Sequence, residues 1–148
     1  MPRLRRLWVA SLLVLATTGC GQVEPVLVTV SMPDCAHTGA TTMDVGELRV
    51  ILTLNGLGSA GLMLVELGDE RGYQDLVEEL ESRSGDGSVP PWVTEVVSLQ
   101  IEDGTGVDSV AETVDIEGGQ YALVCLYRSP DVSETMIEPA APLVVGSP

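Results

Sequence analysis

This chain of 148 residues has no phenylalanine and no lysine, and it has one histidine. Without phenylalanine, a core has to be aliphatic, built from Val, Leu, Ile and Met. At 45% hydrophobic residues the chain has enough of them for a real core. A length of this order allows one domain and no second. The single imidazole, on His37, excludes any metal centre that takes two or three histidines. No Gly-x-Ser-x-Gly or metal-hydrolase pattern accompanies that histidine, so no catalytic residues are expected and the chain is not read as an enzyme. The arginine-only usage of basic residues is read as a compositional bias without functional content.

Positive charge is the next scarcity. Seven basic residues face 22 acidic ones, a formal net charge of -15. Three of the seven, Arg3, Arg5 and Arg6, lie in the first six residues. Without them, four arginines remain against all 22 acids, a net −18. Such a charge disfavours nucleic acid and anionic membrane surfaces as direct ligands. It serves solubility in the plainest reading, and attraction of cations or a basic partner in the other.

The N-terminus reads as an address. Met1 to Arg6 is basic, and Leu7 to Ala16 is an apolar run too short for a comfortable membrane span. Thr17-Thr18-Gly19-Cys20 then resembles a bacterial lipobox, in which small residues precede a cysteine that is acylated and becomes the mature N-terminus. The expectation is a signal peptide over 1–19, a lipid attached at Cys20, a tether over 20–25 and one domain over 26–148. This places the protein on a cell membrane, lipid-anchored and facing the extracytoplasmic side. An ordinary cleaved secretory signal and a retained anchor are the alternatives.

Beyond the tether, period-2 patterning dominates. Val26 to Met32 places Val26, Val28, Val30 and Met32 on one face. Pro33 to Gly39, which holds Cys35 and His37, is a loop by composition. Gly46 to Leu54 alternates cleanly, with Leu48, Val50, Leu52 and Leu54 facing in, and Asn55-Gly56 turns the chain into a strand over Leu62 to Leu67. Between Asp69 and Arg83 the period changes. Tyr73, Leu76, Val77 and Leu80 form an amphipathic helical stripe, with Glu79 and Arg83 placed to pair. That helix covers the domain's own core or serves as a partner-binding lid. Pro90-Pro91 bars further helix. Trp92 to Ile101 and Val107 to Ile116 read as strands on either side of a Gly104-Thr105-Gly106 turn, and Met136 to Val145 as the last, irregular through Pro139 and Pro142.

The organising stretch is Asp115 to Tyr127. It reads as a strand end, a Gly118-Gly119 tight turn with positive φ, and a long strand apolar on both faces, as a central strand is. Cys125 lies inside it, as a buried hydrophobe, half of a disulfide or a thiolate ligand. The Gly-Gly-x-Tyr-x-x-x-Cys segment, together with Gly46 and Asn55, resembles the cupredoxins, the small blue-copper sandwiches. The resemblance runs from about Val26 to Val145. It implies an all-β, Greek-key β-sandwich with one short amphipathic helix in a crossover. It also implies a copper-ligand histidine where this chain has Gly61, and a histidine and then a methionine after Cys125. Met136 is an axial candidate, but the second histidine is missing. Type 1 copper takes two imidazoles and a thiolate.

With Cys20 spent on lipid, Cys35 and Cys125 are an even pair in an oxidising compartment and are predicted to form a disulfide. The leading functional expectation is a metal-free, cofactor-free, monomeric binding or interaction module with an unidentified protein or small-molecule partner. The alternative is a non-standard copper carrier with ligands from His37, Cys125 and Met136, drawing also on Cys35, Met32 or Met43, since thiolate and thioether suit Cu(I).

Overall fold

Inward-facing Val, Leu and Ile at every second position build this fold. The computed structural model describes residues 24–83 and 87–146. The expected signal peptide, Cys20 and most of the expected tether lie outside the described residues, as do Ser84 to Asp86. The strands are β1 (Val26–Met32), β2 (Ala36–Gly39), β3 (Thr42–Asp44), β4 (Gly46–Leu54), β5 (Ser59–Leu67), β6 (Thr94–Ile101), β7 (Ser109–Ile116), β8 (Gly119–Arg128) and β9 (Met136–Gly146). One helix, α1 (Tyr73–Ser82), lies between β5 and β6.

The strands form two sheets, ordered β2-β1-β4-β7 and β3-β9-β8-β5-β6. β4 and β7 are neighbours in the first sheet, while β5 and β6, which lie between them in sequence, are neighbours in the second. The chain therefore crosses between sheets after β2, β3, β4, β6 and β7. β1 and β4 run parallel, in register from Val26 opposite Leu48 to Met32 opposite Leu54. The layer between the sheets is aliphatic: Val28, Val30, Leu48, Val50 and Leu52 from one side meet Leu62, Leu64, Leu123 and Leu143 from the other, all fully buried. Among the described residues this is an all-β sandwich with a single short helix.

β8 is central, paired with β5 on one side and β9 on the other. Its two apolar faces serve two cores. Tyr121, Leu123 and Cys125 face the other sheet, whereas Ala122 and Val124 face outward beneath Leu76 and Leu80 of α1. The helix thus seals the outer face of the second sheet.

α1 starts after Gly72, whose N–H donates to Asp75 Oδ2 at 2.7 Å, and a carboxylate in the first turn also favours the helix dipole. Its connection joins neighbouring antiparallel strands of one sheet, so the helix does not occupy a sheet-to-sheet crossover as expected. Glu79 ties it down, accepting from Trp92 Nε1 at 2.6 Å, Arg83 Nη2 at 2.7 Å and Arg71 Nη1 at 3.3 Å. Arg71 also stacks over the Trp92 ring at 5.0 Å. The Trp92 hydrogen bond, followed by the two arginines, holds the Glu79 carboxyl below the ordinary carboxylate range. A carboxyl lowered in the folded state stabilises above its unfolded pKa and loses that contribution as pH falls through the folded value. Glu79→Gln is therefore expected to lower the urea midpoint at neutral pH and to converge on the parent protein in acid. A difference independent of pH would refute the linkage.

Several expectations shift. The predicted loop Pro33 to Gly39 ends at Cys35, because Ala36–Gly39 pairs with β1 as an edge strand. Its exposed Ala36 and Thr38 carry no hydrophobic alternation for the sequence to show. The three-residue β3 pairs only with the end of β9 and was invisible for the same reason. The β6 strand starts at Thr94, since Trp92 is drawn to Glu79, and β7 starts at Ser109. Gly118-Gly119 is a corner between sheets and not a hairpin turn, and neither glycine is among those with positive φ. A Cβ at Gly119 would make an ordinary contact, 3.4 Å, with the Tyr121 ring, whose hydroxyl donates to the Glu117 carbonyl at 3.0 Å. The irregularity at Pro139 is confirmed, because the β8–β9 register shifts between Leu123 and Val124 and leaves Ala140 as an extra residue.

Candidate functional site: the disulfide-braced end of the sandwich

Strand directions gather four connections at one end. These are the turn Pro33 to Cys35, the β4–β5 loop Asn55 to Gly58, the β6–β7 loop Glu102 to Asp108 and the β8–β9 loop Ser129 to Thr135. Cys35 and Cys125 are joined here as predicted, with Cα atoms 5.9 Å apart across 90 positions of sequence. The bond fastens the β1–β2 turn to the central strand. Cys35 adopts φ 50, a left-handed conformation that few non-glycine residues take.

Other braces join the same loops. The Gly58 N–H donates to Asp103 Oδ1 at 3.2 Å, and the Asp103 N–H donates to Ser59 Oγ at 3.2 Å. The Tyr127 hydroxyl donates to the Leu57 carbonyl at 2.9 Å. Gly58 sits at φ +112, where an added Cβ would lie 2.5 Å from the Arg128 carbonyl and 3.1 Å from the Tyr127 ring. Gly58→Ala is therefore expected to cost on the order of 2–3 kcal/mol through backbone strain and a clash with main chain. A thermal melt within about 0.5 kcal/mol of the parent, the range of an indifferent surface change, would show that this loop relaxes freely.

Between the β4–β5 and β8–β9 loops lies an open cleft of about 410 Å³, with Ser59, Asp103, Arg128 and Ser129 among its lining. Val132 stands on its rim, and Leu57 adjoins it through Gly58. Arg128 is the one arginine among the described residues with no side-chain partner. Arg49 donates to Thr113, and Arg71 and Arg83 are held by Glu79.

The residues expected to bear metal chemistry are only partly brought together. Met136 joins Met32, Cys35 and Cys125 around a cavity of about 10 Å³, room for roughly one water. His37 sits on β2 opposite Val30, and its Nε2 is buried without a hydrogen-bond partner. It is not part of that cavity's lining. Gly61 points to the other face of the second sheet, where a Cβ would meet Leu126 at 3.4 Å, so this position does not converge with Cys125. The Cys125 sulfur is bonded to Cys35 and offers no thiolate, which removes it from the alternative ligand set of His37, Cys125 and Met136. Among the described residues no three His, Cys, Asp or Glu side chains are placed to hold a metal ion. A type 1 copper ion does not fit this end of the molecule.

No family model matches the chain, and no curated protein matches it in sequence.

Sequence reasoning missed Asp103, Tyr127 and Arg128 as residues of this end. The Asn55-Gly56-Leu57-Gly58 run was the available signal, since two closely spaced glycines mark a loop held in unusual φ at two points.

Proposed function

We propose that this chain is a membrane-anchored extracytoplasmic lipoprotein whose sandwich is cupredoxin-like and metal-free, and that it works as a binding or interaction module and not as an enzyme. The observation that carries the reading is the Cys35–Cys125 bond. It closes off the sulfur that a copper centre would use, and it is the chemistry of an oxidising compartment. The lipobox at Cys20 supplies the anchor, with an extended reach from Cys20 to Val26 of at most about 20 Å. β1 begins at the end of the sandwich opposite the disulfide. On this reading the braced loops face away from the membrane.

Metabolic labelling with an alkyne fatty acid, followed by fractionation, tests the anchor. The parent chain is expected in the membrane pellet, carrying label. Cys20→Ser is expected to lose the label and leave the pellet almost completely, because stable anchoring by lipid takes more than one chain and the domain supplies none. Equal labelling of the variant defeats the lipoprotein reading. Copper(II) added to the isolated, unreduced protein is expected to give no intense thiolate-to-copper absorption. A blue product would defeat the metal-free reading.

A further inference from the structure

We infer that the loop end carrying the disulfide is a preformed docking platform for a protein whose contact surface presents apolar side chains ringed by arginine or lysine. The inference rests on the anchored-module reading above and names that module's partner. Of the eight exposed large apolar side chains among the described residues, Leu27, Val45 and Val144 lie toward the other end and Val96 on β6, while four lie at this end, the two most exposed included: Leu57 is 74% exposed, Met136 52%, Val132 51% and Val107 44%. They come from three separate loops and the first residue of β9, so no local sequence run accounts for their meeting at one end. Single exposed apolar residues are ordinary, but a group at one end of an otherwise strongly acidic domain points to a contact surface.

The platform is held before any partner arrives. The disulfide, the Asp103–Gly58–Ser59 brace and the Tyr127–Leu57 hydrogen bond fix three of the four connections to the sheets. Loops fixed in advance lose little conformational entropy on binding. The rim decides the occupant. Asp34, Glu102, Asp103, Asp108, Asp131 and Glu134 belong to these connections, against the lone Arg128. A second copy of a chain carrying net −18 is repelled, and so are nucleic acid and anionic lipid. A basic-rimmed protein is attracted, and its association is steered by the same field. The tether directs this end outward, away from the bilayer that holds Cys20.

Site-specific photo-crosslinking of the full-length chain in intact cells tests the platform. The photoreactive residue is placed at Leu57 or Val132, and as controls at Thr38 or Ala111, which are exposed on the first sheet. Leu57 and Val132 are expected to give one common adduct that Thr38 and Ala111 do not give, with arginine or lysine beside apolar residues in the captured peptide. In isolated membranes the yield is expected to fall at least about three-fold in 0.5 M salt, and similarly in Asp131→Asn/Glu134→Gln, because screening and charge removal weaken a steered encounter. Adducts of equal yield at the control positions, an adduct between two copies of this chain, an acidic captured surface, or no adduct at Leu57 and Val132 each overturn the proposal. Cys20→Ser separates the two readings. If that variant stays in the membrane pellet, the anchor reading fails whatever the crosslinks show. If it is released yet forms the same adduct with washed membranes, the platform stands without the anchor.

Discussion

Replacing Cys35 and Cys125 together by alanine is expected to destabilise the domain by about 4–5 kcal/mol, the chain-entropy value for a closed loop of roughly 90 residues. That is a large part of the roughly 5–15 kcal/mol that holds a domain of this size. Both sulfurs lie in the native core or packed against it, so the cross-link joins positions that the fold already brings together. The expected shift in melting temperature is on the order of 15 °C, taking about 3–4 °C per kcal/mol for a domain between the tabulated sizes. Reduction of the parent protein is expected to reproduce most of this shift. The single variants are expected to be no more stable than the double, because each leaves a thiol in a space shaped for a bridge. A double variant that melts within about 3 °C of the parent, less than 1 kcal/mol on that scale, would show that the sheets alone hold this end. Two titratable thiols in the unreduced, denatured parent would be a more direct refutation.

The same pair of cysteines marks how far the sequence could be read. The pairing was legible because only two cysteines remain once Cys20 is set aside as the expected lipid site. The strands with clean alternation, β1 and β4, fall where expected to the residue, because burial of one face imposes a period of two. The helix was legible from its 3.6 period, although its ends moved inward to Tyr73 and Ser82. What escaped was structure that hydrophobicity does not encode. β2 and β3 are held by main-chain hydrogen bonds at sheet edges, and their side chains are mostly exposed. The candidate site escaped for a different reason. Asp103, Tyr127 and Leu57 are separated by up to 70 positions, and only the crossings between sheets bring them to one end. Gly61 was set at a copper-ligand position by the cupredoxin resemblance alone, but the strand begins at Ser59 and gives Gly61 the outward parity, opposite to Leu62 and Leu64.

Leu123→Ala is expected to cost about 3–4 kcal/mol, within the range measured for deleting a buried leucine and leaving a cavity. Leu123 is fully buried on β8, between its pairing with Leu64 and the facing sheet. The aliphatic layer around it is built largely of β-branched and leucine side chains, with no phenylalanine to swing into the gap. Leu76→Ala, on the inward side of α1 against the other face of the same sheet, is expected to cost a similar amount, about 2–4 kcal/mol, because Leu76 is also fully buried. Leu57→Ala, at the solvent-facing loop tip, is expected to stay within about 0.5 kcal/mol of the parent. These values are read from urea midpoints at constant m-value. If the sandwich and the helix–sheet layer are separate clusters divided by β8, the Leu123 and Leu76 changes add to within about 0.5 kcal/mol. Strong coupling would mean that β8 shifts as a body when either face is hollowed, and the braced loops at its end would move with it. Leu123→Ala would then weaken crosslinking at Val132, which Leu76→Ala would do as well. Additive stability with unchanged crosslinking is the expected outcome, because Cys125 and Tyr127 fasten the far end of β8 independently of either cluster's centre.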